Sequence, residues 1–233
     1  FVGDVNGDGM GDVGLSGTPV EGPGVAVVVF GRLVWPAQVD LALVNGTDGV
    51  RMERSATEAG PSSLVSKLGD FNGDGLDDVL LREASDGNLA MIVLGRAQWN
   101  ATLALDADAD VVLVEGAEYL DYAAGIGDTN GDGFADAAFS VYDGELGQWV
   151  AMLMGNDSYG RNVNLVTEPS VAKVRNSAFS SLGWPDEGTF GGIAAVGDVN
   201  QDGWSDFALG DSEAGINGLA YVVYGRAQPA GLV

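Results

Sequence analysis

Oxygen donors recur in this chain at one fixed spacing. The phrase Asp-x-Asn-x-Asp-Gly-Φ-x-Asp, with Φ apolar, is written four times, at Asp4–Asp12, Asp70–Asp78, Asp128–Asp136 and Asp198–Asp206. Positions one, three and five put side-chain oxygens on one side of a tight loop: Asp4, Asn6 and Asp8; Asp70, Asn72 and Asp74; Asp128, Asn130 and Asp132; Asp198, Asn200 and Asp202. Glycine at position six (Gly9, Gly75, Gly133, Gly203) permits the positive φ that a sharp turn needs. Position seven (Met10, Leu76, Phe134, Trp204) then offers a carbonyl, and position nine (Asp12, Asp78, Asp136, Asp206) closes the shell with a carboxylate. An all-oxygen set of irregular geometry suits Ca²⁺ better than Mg²⁺. Four calcium sites are therefore expected.

Two other readings compete with that one. Asn-Gly and Asp-Gly are turn signals in their own right. They account for the middle of the phrase but not for aspartate at both ends in all four copies. An EF-hand loop would need glutamate at position twelve and a helix on each side. Position twelve is Leu15, Leu81, Phe139 or Leu209, inside an apolar β-like run. The loop is thus expected to join two strands.

The elements that must hold these loops repeat in register with them. The first aspartates fall at 4, 70, 128 and 198, and an apolar run ending in glycine follows each, at Val25–Gly31, Leu89–Gly95, Trp149–Gly155 and Leu219–Gly225. From first aspartate to that glycine the offset is 27, 25, 27 and 27 residues. Two landmarks in constant register define a structural unit. The units run over approximately 1–60, 61–118, 119–188 and 189–233 of a single domain. Each reads as four strands, with the loop between strands one and two. Strand three, apolar on both faces, suits burial between neighbouring sheets. Strand four, as in Val50–Arg54, alternates and suits a half-exposed edge. No amphipathic helix is apparent. Repeated four-stranded units of this length predict an all-β fold, a β-propeller of which about four blades are present. The position-seven side chains are expected to wedge against a neighbouring strand or blade.

Bulk composition narrows the function. The chain has 233 residues and a net charge of −24, with 34 acidic against 10 basic residues. Twelve of the acids are the aspartates at positions one, five and nine of the four loops. That balance argues against nucleic acid or anionic membrane surfaces as partners. Cysteine and histidine are both absent, which removes disulfides and thiolate or imidazole catalysis. No stretch is long and apolar enough for membrane insertion. The chain opens on Phe1, almost at once on a loop, and is expected to be an excerpt from a longer or processed polypeptide.

Three passages carry a family resemblance: Gly3–Gly9 (Gly-Asp-Val-Asn-Gly-Asp-Gly), Tyr221–Gly225 closing strand three, and Asn45–Val50 before strand four. With them the chain resembles the FG-GAP repeat proteins, which include the propeller of integrin α subunits and many bacterial surface and secreted proteins. The Phe-Gly pair itself survives only at Phe190-Gly191, and the Gly-Ala-Pro element is nearest at Gly17-Thr18-Pro19. The family's ligand sites are therefore not carried over. The resemblance implies a propeller of about seven blades, so the remainder would come from the same longer chain or from other copies. It also implies an extracellular or cell-surface setting and an unidentified protein or glycan ligand.

Lesser signals have structural readings. Asp106, Asp108 and Asp110 could form a fifth metal site, but without a turning glycine they read as a solvated turn. Arg32, Arg96 and Arg226 each follow the glycine that ends strand three, and ion pairing is expected of them. Trp35 and Trp99 recur four residues after that glycine, which argues for packing. The long connection Arg175–Gly188 is the one place to look for a ligand contact. Asn45, Asn100 and Asn156 head N-x-S/T sequons, relevant only in a eukaryotic secretory setting.

The function expected is a calcium-stabilised extracellular propeller acting as a binding or adhesion module, the metal being structural. The alternatives are a structural subunit of a surface layer or filament assembling blade to blade, and, with least support, a lyase or hydrolase using a carboxylate pair on a glycan. No catalytic residue can be named.

Overall fold

A computed structural model describes residues 1–17, 24–54, 61–83, 87–116, 118–144, 147–174, 190–211 and 218–227. Sixteen strands form four sheets, and among the described residues there is no α-helix, only a 3₁₀ turn at Leu41–Leu43. The first sheet holds β1 (Val13–Gly17), β2 (Val25–Val29) and β3 (Gly49–Glu53). The second holds β4 (Pro61–Gly69), β5 (Asp78–Glu83), β6 (Leu89–Val93) and β8 (Val111–Glu115). The third holds β9 (Tyr119–Gly127), β10 (Asp136–Asp143), β11 (Gly147–Leu153) and β13 (Val171–Val174), and the fourth β14 (Phe190–Gly197), β15 (Asp206–Asp211) and β16 (Leu219–Val223). Consecutive strands within each sheet pair antiparallel.

Three cores lie between consecutive sheets, and the third strands feed two at once. In β6, Ala90 and Ile92 pack into the core shared with the third sheet, whereas Met91 and Val93 pack into the core shared with the first. In β11, Trp149, Ala151 and Leu153 face the second sheet, while Val150 and Met152 face the fourth. The two-unit side-chain period of a strand sends alternate residues to opposite faces. A strand with apolar residues at every position is therefore buried on both sides, as its sequence indicates. The first strands β4, β9 and β14 touch one another in turn, so the sheets stand side by side.

Among the described residues, strand four is an edge in the third sheet, at β13, but not in the first two. A three-residue strand from the next unit adds to it in parallel. β7 (Thr102–Ala104) pairs with β3, and β12 (Asn162–Asn164) pairs with β8. The added strand takes up backbone groups of β3: Arg51, for example, donates its amide to the Ala101 carbonyl at 2.9 Å. Segments as short as Thr-Leu-Ala give no periodic signal of their own, so the sequence reads them as loop.

Candidate metal centre

Three of the loops join a first strand to a second, β4 to β5, β9 to β10 and β14 to β15, the earliest leads into β1 after an isolated bridge between Gly3 and Asp12, and the first three loops adopt one hydrogen-bond pattern throughout. In the first loop the Asp4 carboxylate accepts amide N–H bonds from Gly7 and Gly9 at 2.8 Å and from Asp8 at 3.1 Å. Asp8 Oδ1 accepts from the Met10 amide at 2.8 Å, and Asn6 Nδ2 donates to Asp8 Oδ2 at 3.1 Å. The same bonds recur around Asp70, Asn72 and Asp74 and around Asp128, Asn130 and Asp132. Around Asp198, Asn200 and Asp202 they recur from Asp202, Gly203, Trp204 and Asn200, but not from position four, Gln201. Position six takes the expected left-handed backbone, with φ of 83°, 89°, 94° and 95° at Gly9, Gly75, Gly133 and Gly203.

Position nine has a role beyond the one read from its charge. Asp12, Asp78, Asp136 and Asp206 are fully buried. In each, Oδ2 accepts the amide of position two, from Val5, Phe71, Thr129 or Val199, at 2.7–2.9 Å. Oδ1 accepts the amide of the glycine that ends strand three, Gly31, Gly95, Gly155 or Gly225, at 2.7–2.9 Å. The carboxylate is thus a staple between the loop and the third strand. It explains why the offset between the two landmarks is nearly constant, the one sequence signal that could have exposed the role. The glycine is required by close approach: a Cβ on Gly95 would lie 2.6 Å from the Asp77 carbonyl oxygen.

Burial makes Asp12, Asp78 and Asp136 hard to ionise. Desolvation pushes Asp78 up to about 7, opposed by the Gly95 and Phe71 amides and assisted by the charges of Asp74 and Asp70. Asp136 is raised to about 6, again by burial, against bonds from Thr129 and Gly155, with Asp132 adding repulsion. Asp12 is raised for the same reasons.

The donor chemistry fits a hard cation. Among the described residues none of the twelve carboxylates at positions one, five and nine pairs with a lysine or arginine; only Asp77, at position eight of the second loop, does so, with Lys67 at 3.1 Å. A carboxylate has about four lone-pair sites, and each position-nine oxygen spends one on an amide. Among the described residues no three acidic side chains converge as a ready-made cluster. The loop's set counts an amide oxygen and a carbonyl besides its carboxylates. Positions one, three, five, seven and nine would hold the ion, which would supply positive charge and a fixed loop shape rather than a reaction.

Consecutive loops touch. The position-eight amides of Asp77, Ala135 and Ser205 donate to the position-one carbonyls of Asp4, Asp70 and Asp128 in the preceding loop, at 3.0, 2.8 and 2.8 Å. The position-seven side chains wedge as expected, Leu76 against Gly7, Phe134 against Gly73 and Trp204 against Gly131.

The lesser signals separate. Asp108 accepts both guanidinium nitrogens of Arg96 at 3.0 and 3.1 Å, with Asp110 3.6 Å away, so this stretch is an ion-paired turn. Arg32 departs from the expected ion pair: it donates to the Asp48 carbonyl at 2.9 Å and lies 5.0 Å from the Trp35 ring. Trp99 packs against Phe30, but Trp35 is 47% exposed and packs into no core. The Asn45 side chain accepts from the Thr47 amide and hydroxyl, closing a local turn. The Arg175–Gly188 connection lies outside the described residues. No helix among the described residues is long and apolar enough to cross a membrane.

No protein-family model matches the chain. Among curated proteins it is similar to integrin alpha-PS2 of Drosophila melanogaster, 28% identical over 180 residues covering 70% of this chain. It is also similar to integrin alpha pat-2 of Caenorhabditis briggsae, 28% identical over 196 residues covering 78% of this chain. The matched regions span 11% and 15% of those two proteins. The chain is thus weakly but extensively similar to a small part of integrin α subunits.

Proposed function

We propose that this chain is a section of a calcium-stabilised β-propeller that serves as a binding or adhesion module at the cell surface or outside the cell. The observation that carries the reading is the placement of four near-identical acidic loops side by side, where consecutive units touch, with no lysine or arginine paired to the carboxylates at positions one, five and nine among the described residues. Four sheets standing side by side with first strands adjacent support blades around an axis. Similarity to integrin α subunits supports an adhesive role and a protein or glycan ligand. The calcium ions hold the loops, and through them the sheets, in shape.

Calorimetric titration of the chelator-stripped protein with Ca²⁺ tests the metal assignment. Four ions per chain are expected; no heat and no bound calcium would overturn it.

A second reading has its own observation. Val13 and Leu15 on the outer face of the first sheet are 36% and 42% exposed, and Val222 on the outer face of the fourth 48%. These apolar faces match those the inner sheets bury against each other, so further blades, from a longer chain or from other copies, would cover them. Sedimentation over a hundredfold concentration range separates the two sources: assembly favours a self-docking structural subunit, and a constant mass favours blades in the same chain.

A further inference from the structure

We infer that neighbouring cation loops are coupled, so that filling one loop strengthens binding at the loop before it. The inference rests on the calcium reading above. It concerns how the sites communicate, and three repeated contacts carry it.

The first contact is the backbone bond between loops. Positions seven and nine of one loop are cation donors, and the residue between them donates its amide to the position-one carbonyl of the preceding loop: Asp77 to Asp4, Ala135 to Asp70, Ser205 to Asp128. The position-one carboxylate is itself a donor and accepts two or three amides of its own loop. An ion that fixes positions seven to nine therefore fixes the anchor of the loop next door. The second contact is the wedge. Position seven gives its carbonyl to its own loop and its side chain to the preceding one, where it covers position four. A Cβ on Gly7 would lie 2.8 Å from Leu76, one on Gly73 would lie 2.5 Å from Phe134, and one on Gly131 would clash with Trp204. Those glycines also hold φ of 74°, 77° and 77°, so they are needed twice over. The third contact is the amide of the residue after the strand-three glycine. Arg96 donates to the Val5 carbonyl and Arg226 to the Thr129 carbonyl, both at position two of the preceding loop.

Position four of the last loop is Gln201, which holds the same left-handed backbone at φ 62°. Coupling of this kind is a free energy shared between sites through a contiguous bonded element.

The test follows each loop separately by hydrogen exchange of its amides across a calcium titration of the whole chain. Asp132→Asn removes one charge from the third loop and leaves every second-loop donor in place. The expected result is a rise of about fivefold in the calcium needed to protect Gly73–Leu76, the lower end of typical site–site coupling. Phe134→Ala removes the wedge and keeps all oxygen donors, and adding Asp132→Asn to it should then shift the second loop less than in the parent. Asp202→Asn, read at Gly131–Phe134, repeats the test should Asp132→Asn fold poorly. A second-loop midpoint unmoved by the third-loop lesion would overturn coupling and leave four independent calcium sites. Absence of calcium-dependent protection at every loop in the parent would instead overturn the calcium reading, and coupling with it.

Discussion

The acidic loops and the outer turns solve the same local problem in different ways. Both must reverse the chain and satisfy its amides with short side chains. The outer turns do it three times with three different residue sets. Asn45 accepts from Thr47 in the first unit, Asp108 accepts from Arg96 and the Asp110 amide in the second, and Asn164 and Glu168 serve in the third. The loops use one set four times. The difference lies in how many surfaces each stretch must meet. An outer turn meets the next unit through its backbone, as where Arg161 donates to the Asp108 and Leu105 carbonyls, which leaves its side chains free to differ. A loop must reverse the chain, staple the third strand through position nine, and meet the loop next to it, so little of its sequence is free to change.

Calcium removal gives the largest expected difference between the two regions. An ion at 100 times its Kd contributes about 2.7 kcal/mol per site, and about 1 kcal/mol moves Tm by about 2–4 °C in a domain of this size. Chelator should therefore lower Tm by more than about 20 °C, with the loop amides losing protection before those of the outer turns. Calorimetric scans with and without EDTA read the first, and hydrogen exchange the second; a Tm indifferent to EDTA would contradict the account.

Next in size is the contrast between positions five and nine of one loop. Asp78→Ala orphans the buried amides of Phe71 and Gly95, at about 1–3 kcal/mol each, and should destabilise the protein even in EDTA. Asp74→Asn, at an exposed position, should abolish calcium binding at the second loop while leaving the chelated protein within about 0.5 kcal/mol of the parent. Urea titrations in EDTA compare the two directly. Equal effects would mean that position nine is no staple.

The two regions should also respond to pH with opposite sign. Asp78 and Asp136 are raised by burial to about 7 and about 6. Their contribution to the calcium-free protein is complete below the ordinary aspartate range and is lost as pH climbs through those values. Asp108 shifts the other way. Burial would raise it, but the Arg96 hydrogen bonds, the Asp110 amide and the charges of Arg96 and Arg161 outweigh that and hold it below the usual value. Its contribution is present at neutral pH and is lost as pH falls through the depressed value. In EDTA, Tm should decline from pH 4.5 to 7.5, and Asp78→Asn should flatten that decline. Asp108→Asn should matter only on the acid side.

The smallest effect belongs to the outer turns. Asp108→Asn should cost no more than about 1 kcal/mol at pH 7, the usual worth of a partly exposed ion pair, and Asn45→Ser less. Either substitution costing as much as Asp78→Ala would erase the distinction drawn here.

Local sequence patterns specify the longer strands, the acidic loops that precede the second strands, the left-handed glycine at position six and the two-sided burial of the third strands. Each follows from local patterns that recur: the period-two alternation, the turn residues and a phrase written four times. The wedging of position seven was also legible, because an apolar residue inside an acidic loop needs a partner. It took the folded chain to reveal what position nine does, why position four is glycine in the first three loops, and that β7 and β12 add to β3 and β8. These depend on contacts between residues distant in the chain, 17 positions apart for the Asp78–Gly95 staple and further apart where units meet. A carboxylate that binds a cation and one that binds two buried amides are the same letter in the same place. Only the position of the amides in space distinguishes them.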